Sequence, residues 1–136
     1  ILQSGNEKSE RSGIVIFNTN ILIYLSKNIL KIETLIKPST KPSISVISYI
    51  EAMGYIFETK EDEFYMSRIC TTCNIIPLSK FIIDETILLR QQYRIKLPDA
   101  IIYATASTQR SSLVTRNIND FDKLDGKVEL INPFTL

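Results

Sequence analysis

The stretch I-V-I-F-N-T-N-I-L-I-Y-L (residues 14–25) decides how this chain folds. Ile14 to Phe17 form a short apolar run rich in β-branched side chains, the composition of a strand buried on both faces. Beyond Asn18-Thr19-Asn20, apolar residues recur as Ile21, Leu22 and Leu25, the spacing of one helix face. A strand that passes straight into a helix begins a crossover unit, and the same alternation continues down the chain. Lys37 to Pro42 reads as a loop bracketed by prolines. Ile44 to Ile47 reads as a second strand, after which Ser48 opens a helix through about Phe57. An amphipathic helix is expected over Glu61 to Ile69, a third strand over Asn74 to Leu78, and a helix from Ser79 to about Tyr93. Pro98 sits where a helix starts, with Ile101, Ile102 and Thr105 on its buried face. Leu113 to Thr115 and Val128 to Ile131 supply strands four and five. Strands alternating with helices predict an α/β fold, a three-layer α/β/α sandwich around a central, mainly parallel sheet. Residues 1–12 are polar and do not begin with Met; they are expected to be a disordered leader or expression remnant, with 13–136 as the domain.

Composition narrows the chemistry. At 136 residues and 44% apolar content the chain suits one globular domain with a sizeable core. No apolar run reaches the ~20 residues of a membrane span, so a soluble chain is expected. Sixteen basic and fifteen acidic residues leave a net charge of +1, which points to no partner by itself. The absence of histidine excludes Ser-His-Asp triads, Cys-His proteases and HExxH zinc sites. Catalysis must then run on carboxylates, Lys, Tyr, Cys or a bound metal. Cys70 and Cys73 make a C-x-x-C spacing, but they follow a predicted helix rather than start one, so the helix dipole disfavours a thiolate there. A zinc site would need two further Cys or His ligands. Packing is the reading for both thiols, and two free thiols fit a reducing, cytoplasmic setting.

Parallel strands all end on one edge, where the following helices begin and where open α/β sheets bind ligands. Asn18 follows the first strand, Ser48 to Glu51 the second, and Thr115-Arg116-Asn117-Ile118-Asn119-Asp120 the fourth, while Asp99 opens the helix at Leu97-Pro98. Each has a local explanation. Ser48 and Glu51 have the S-x-x-E spacing of a capping box. Asp99 complements the helix dipole by ~0.3–1 kcal/mol. Asn18 and Asn117 are good N-caps. Taken together, however, three carboxylates brought close repel by ~4 kcal/mol per close pair at an effective dielectric of about 20, which stability alone does not favour. A hard cation, Mg²⁺ or Mn²⁺, relieves that repulsion, bridges phosphate oxygens and activates water for phosphodiester hydrolysis.

Four stretches carry a resemblance: I-V-I-F-N-T-N-I-L-I-Y-L (14–25), S-V-I-S-Y-I-E-A-M-G-Y (45–55), L-P-D-A-I-I-Y-A-T-A (97–106) and L-V-T-R-N-I-N-D-F (113–121). In this order they resemble the signature segments of the PIN-domain family, and most closely its VapC-like toxins of bacterial toxin–antitoxin pairs. The resemblance implies a PIN domain over 13–136 and a Mg²⁺- or Mn²⁺-dependent ribonuclease acting on single-stranded regions of structured RNA. It also implies a homodimer and a cognate antitoxin whose C-terminal segment occupies the active-site groove. By the same resemblance Glu51, Asp99 and Asp120 are metal-binding acids, and Thr115 and Asn117 support the site or orient water. Arg116 adjoins that site and is read as a phosphate contact.

Position 18 departs from the family pattern, which has aspartate where this chain has Asn18. An amide oxygen still ligates a hard cation, but losing one charge costs ~1–4 kcal/mol, about ten- to a thousand-fold in affinity. Asn18 is thus an engineered silencing or a natural impairment. An alternative function is a catalytically inactive PIN-like module that holds RNA or an antitoxin. An unrelated phosphatase is disfavoured, because it would need an aspartate nucleophile at the end of strand one. Asp84 and Glu85 are read as solvated helix residues, Asp122 and Asp125 as turn residues, and Tyr49, Tyr55 and Tyr103 as packing or dimer-face groups.

Overall fold

A computed structural model describes residues 12–135. The leader assigned to residues 1–12 lies outside the described residues except for Ser12, whose N–H donates to Arg110 O at 3.0 Å. Five short strands run in the order β1 (Val15–Phe17), β2 (Ser43–Ser45), β3 (Asn74–Ile76), β4 (Ser112–Val114) and β5 (Glu129–Ile131). Between them stand α1 (Thr19–Ser26), α2 (Val46–Met53), α3 (Lys60–Thr71), α4 (Lys80–Gln92) and α5 (Leu97–Thr108). All pairings are parallel and the spatial order is β3-β2-β1-β4-β5. The order reverses between β1 and β4, a topological switch point at which the connections leave on opposite sides and open a crevice.

Alternating side chains on each strand feed two cores. Ile16 and Leu113 point to the face covered by α4 and α5, where they meet Ile82, Leu89, Ile102 and Phe121. Their neighbours Phe17 and Val114 point the other way, onto Ile21, Leu22 and Leu25 of α1 and Met66 and Cys70 of α3. The three layers result from that alternation. Helix α5 is buried from Ala100 through Ala106, which explains why L-P-D-A-I-I-Y-A-T-A is apolar almost all round. Both thiols are free and buried, and burial raises the Cys70 pKa to about 11, with the neighbouring Cys73 adding to the effect. They pack.

The second crossover differs from expectation. Strand β2 ends at Ser45, and Ser45 itself caps α2, its side chain accepting from Ile47 N at 3.1 Å. Ser48 is therefore not the cap but a fully buried first-turn residue, and Glu51 lies a turn too far along to reach back to the cap. The helix stops at Met53 rather than Phe57, because Gly54 closes its last turn by donating to Ile50 O at 2.8 Å. The link from β4 to β5 carries a 3₁₀ turn (Ile118–Asp120). A second short 3₁₀ turn, Ile32–Thr34, occupies part of the β1–β2 connection, where no element was expected. Among the described residues no helix is long and apolar enough to cross a membrane.

Because β1 is the middle strand, Ile16→Ala should cost ~2–5 kcal/mol by cavity formation. Ile75→Ala, on the half-open edge strand β3, should cost well under half of that. Urea unfolding of the two variants measures the difference.

Candidate active site

At the switch point the ends of β1 and β4 are joined by direct hydrogen bonds. Asn18, at the end of β1, is 6% exposed. Its backbone N–H donates to Val114 O at 2.9 Å, and its Nδ2 donates to Thr115 Oγ1, also at 2.9 Å. Its Oδ1 accepts from Thr19 N at 2.8 Å, so the residue is the N-cap of α1. Thr115 is fully buried and also accepts from Asn117 N at 3.1 Å. A single hydroxyl thus ties the end of β1 to the turn that carries Asn117 and Asp120. The Asn117 side chain makes no capping bond to the Ile118–Asp120 turn.

Glu51 stands in the second turn of α2 and is exposed. The Thr19 hydroxyl lies 2.6 Å from Glu51 Oε1 and 2.9 Å from Ser48 Oγ. A hydroxyl has one proton and a carboxylate only accepts, so Thr19 donates to Glu51 and receives the Ser48 proton. Glu51 is consequently aimed by α1 from across the crevice. Sequence reading missed both hydroxyls in this role. The signal was present: Ser48 and Glu51, three apart, share one helix face.

Asp99 occupies the first turn of α5 and is half-buried. Its pKa is raised, first by burial, then by the charge of Asp120 and then by that of Glu51, with Lys96 opposing. The charges of Asp120 and Glu51, from two other segments, therefore both act on Asp99. The helix dipole and Lys96 favour the charged form of Asp99, and the net upward shift shows that they lose to burial and repulsion. Among the described residues neither Asp99 nor Asp120 has a salt bridge or a hydrogen-bond donor to its side chain. Nor do any three His, Cys, Asp or Glu side chains close into a ready-made metal cage.

The remaining residues separate clearly. Asp84 is paired with Lys80 at 3.0 Å on the surface. Asp125 accepts from the Tyr103 hydroxyl at 2.8 Å and from Lys127 N, which makes it a turn residue, and Tyr103 is a packed core residue with a pKa raised chiefly by burial. Arg116 is exposed, and its guanidinium lies on the rings of Phe134 and Tyr24. A cavity of about 220 Å³ lined by Ile23, Lys27, Tyr55, Phe57 and Met66 lies between α1, the 54–59 loop and α3, and none of Glu51, Asp99 and Asp120 lines it.

A family model described as the PIN domain matches residues 15–127. The chain belongs to the PIN-domain family. A chain of a toxin–antitoxin complex from Klebsiella pneumoniae is 36% identical, with 88% of this chain and 97% of that chain covered and a TM-score of 0.67. A chain from VapBC2 of Rickettsia felis, solved on a promoter DNA fragment, is 21% identical over 88% of this chain and 98% of its own, with a TM-score of 0.72. One from VapBC-1 of nontypeable Haemophilus influenzae is 22% identical over 89% and 98%, with a TM-score of 0.70. The last two speak for the fold, which is that of a VapC-like PIN domain. No curated protein matches the chain.

The raised pKa of Asp99 fixes the sign of a pH effect. Its charged form is disfavoured in the folded state, so Asp99 costs stability once pH exceeds both its folded and unfolded values and costs nothing below the ordinary value of 3.8. In metal-free buffer, Asp99→Asn should raise Tm at pH 7, and the gain should vanish as pH falls below that value. Calorimetry across the range would contradict this if the variant melted lower at pH 7.

Proposed function

We propose that this PIN domain is a Mg²⁺- or Mn²⁺-dependent endoribonuclease toxin of a toxin–antitoxin pair, with its activity impaired by Asn18. The observation that carries the reading is Asp99, half-buried at a helix start and facing the charges of Asp120 and Glu51, with no cationic side chain salt-bridged to Asp99 or Asp120 among the described residues. The donor set fits a hard divalent cation: it is all oxygen, and it offers carboxylates from α2, α5 and the 118–120 turn. Bound there, the cation would activate a water for attack on an RNA phosphodiester and offset charge on the phosphate.

The chain's own residues do the rest. Thr19 and Ser48 hold the Glu51 carboxylate in one orientation. Thr115 sets the distance between the two banks of the crevice and, with Asn117, is read as a supporting group that orients water. The acids lie along an open edge, which suits a polymeric substrate. A cognate antitoxin is the proposed protein partner, on the strength of the similar chain from a toxin–antitoxin complex. A second copy of the chain is the proposed dimer partner, supported by the exposed apolar residues Phe81, Ile87 and Leu88 of α4. A cytoplasmic location is consistent with the free thiols.

Asn18 is the reason to read the activity as impaired. The amide supplies no charge, and its Oδ1 is engaged with Thr19 N. An aspartate would fit the same place. Its one oxygen would keep the Thr19 N–H, and the other would receive the Thr115 proton, which now has to turn away from Asn18 Nδ2. Only a proton needs to rotate. Asn18→Asp should therefore introduce Mg²⁺- or Mn²⁺-dependent RNA cleavage at least ten-fold above the unsubstituted chain. Incubation of the purified variant with total RNA, with metal or with EDTA, is the measurement; a folded variant that cuts no RNA would overturn the nuclease reading in favour of an inactive RNA- or antitoxin-holding module.

A further inference from the structure

Arg116 leaves the end of β4 directly after the buried Thr115 and has no carboxylate partner among the described residues. Its guanidinium stands 4.3 Å from the centre of the Phe134 ring and 5.4 Å from that of Tyr24. Its Nη1 donates to the Tyr24 hydroxyl at 3.1 Å. The two rings meet edge-on at 5.0 Å, so the cage has two walls that brace each other. The turn carrying Phe134 is anchored in its own right. Asn132 Nδ2 donates to Arg116 O at 3.4 Å, and Asn132 Oδ1 accepts from Phe134 N at 2.9 Å. An arginine on an exposed surface ordinarily loses considerable rotamer freedom when it binds an anion. Here that freedom is already restricted, while the planar fork keeps donors beyond the one used by Tyr24. Tyr24 lies five residues past Thr19 on α1, ~7.5 Å along the axis, so the clamp sits beside the acidic edge and not in it.

We propose that Arg116, held by Tyr24 and Phe134, is a binding site for a backbone phosphate of single-stranded RNA, adjoining the phosphate presented to the acids. The choice of phosphate over a protein carboxylate rests on the proposed nuclease function. Tyr24 and Phe134 are positioning residues: they fix the plane of the guanidinium, and the turn at 133–135 thereby becomes part of the substrate surface.

Binding of an eight-nucleotide RNA to the unsubstituted chain in EDTA, monitored by fluorescence anisotropy at several salt concentrations, tests this without any cleavage. Arg116→Gln should weaken binding roughly ten-fold and lower the salt slope by about 0.7, the loss of one phosphate contact. Arg116→Lys should keep the slope and still lose affinity, because the charge survives but the stacked plane does not. Phe134→Leu should weaken binding several-fold at an unchanged slope, and should have no further effect in the Arg116→Gln background. Additive losses in that cycle, an unchanged slope in Arg116→Gln, or no RNA binding by the unsubstituted chain would each overturn the clamp. Arg116-dependent binding of polyglutamate with unaltered RNA affinity would assign the guanidinium to a protein partner, and would overturn it too. A clamp that passes while Asn18→Asp stays inactive removes the nuclease reading alone.

Discussion

Burial raises the pKa of Asp99, and the charges of Asp120 and then Glu51 raise it further, so a half-buried acid facing acids from two other segments is the constraint on which the site depends. The parallel sheet creates it. Every strand ends on the same edge, and the chain reverses its winding between β1 and β4, so α2, α5 and the 118–120 turn each carry an acid toward that edge. Nothing in the packing calls for three negative charges there. The fold tolerates them by holding the carboxylates apart and leaving two of them exposed.

Around these charges the neutral groups form a rigid frame. Thr115 receives hydrogen from both Asn18 and Asn117, and Thr19 passes one hydroxyl proton to Glu51 while accepting from Ser48. Two threonines thereby link three stretches of the chain, 18–19, 48–51 and 115–117. Such a frame restricts where a charge can move, which is the condition for electrostatic work at a reacting centre. The two cores below the frame, one on Ile16 and Leu113 and the other on Phe17 and Val114, keep the strand ends in place.

Much of this was legible in the sequence, for physical reasons that differ by residue. The β-branched run at 14–17 and the buried helix at 97–108 have patterns that only a sandwiched sheet and a central helix satisfy. Asn18 and Asp120 lie just beyond strand ends and Asp99 at a helix start, positions that a parallel topology itself gathers on one edge. The start of α2 differs from the sequence expectation because S-I-S-V-I-S offers three serines, and a local capping rule cannot choose among them. Tertiary contact decides: Ser48 is drawn inward to Thr19 and Ser45 is left to cap. The aromatic cage of Arg116 joins positions 24, 116 and 134, and no periodicity links residues so far apart in sequence.

The central claim is that the acidic edge is a divalent-cation site. Crystals of the unsubstituted chain soaked in Mn²⁺, with anomalous diffraction recorded at the manganese edge, test it most directly. The account predicts a peak ligated by the carboxylate oxygens of Asp99 and of at least one of Glu51 and Asp120. No anomalous peak at that edge, with the same carboxylates turned onto lysine or arginine side chains of the chain, would contradict it.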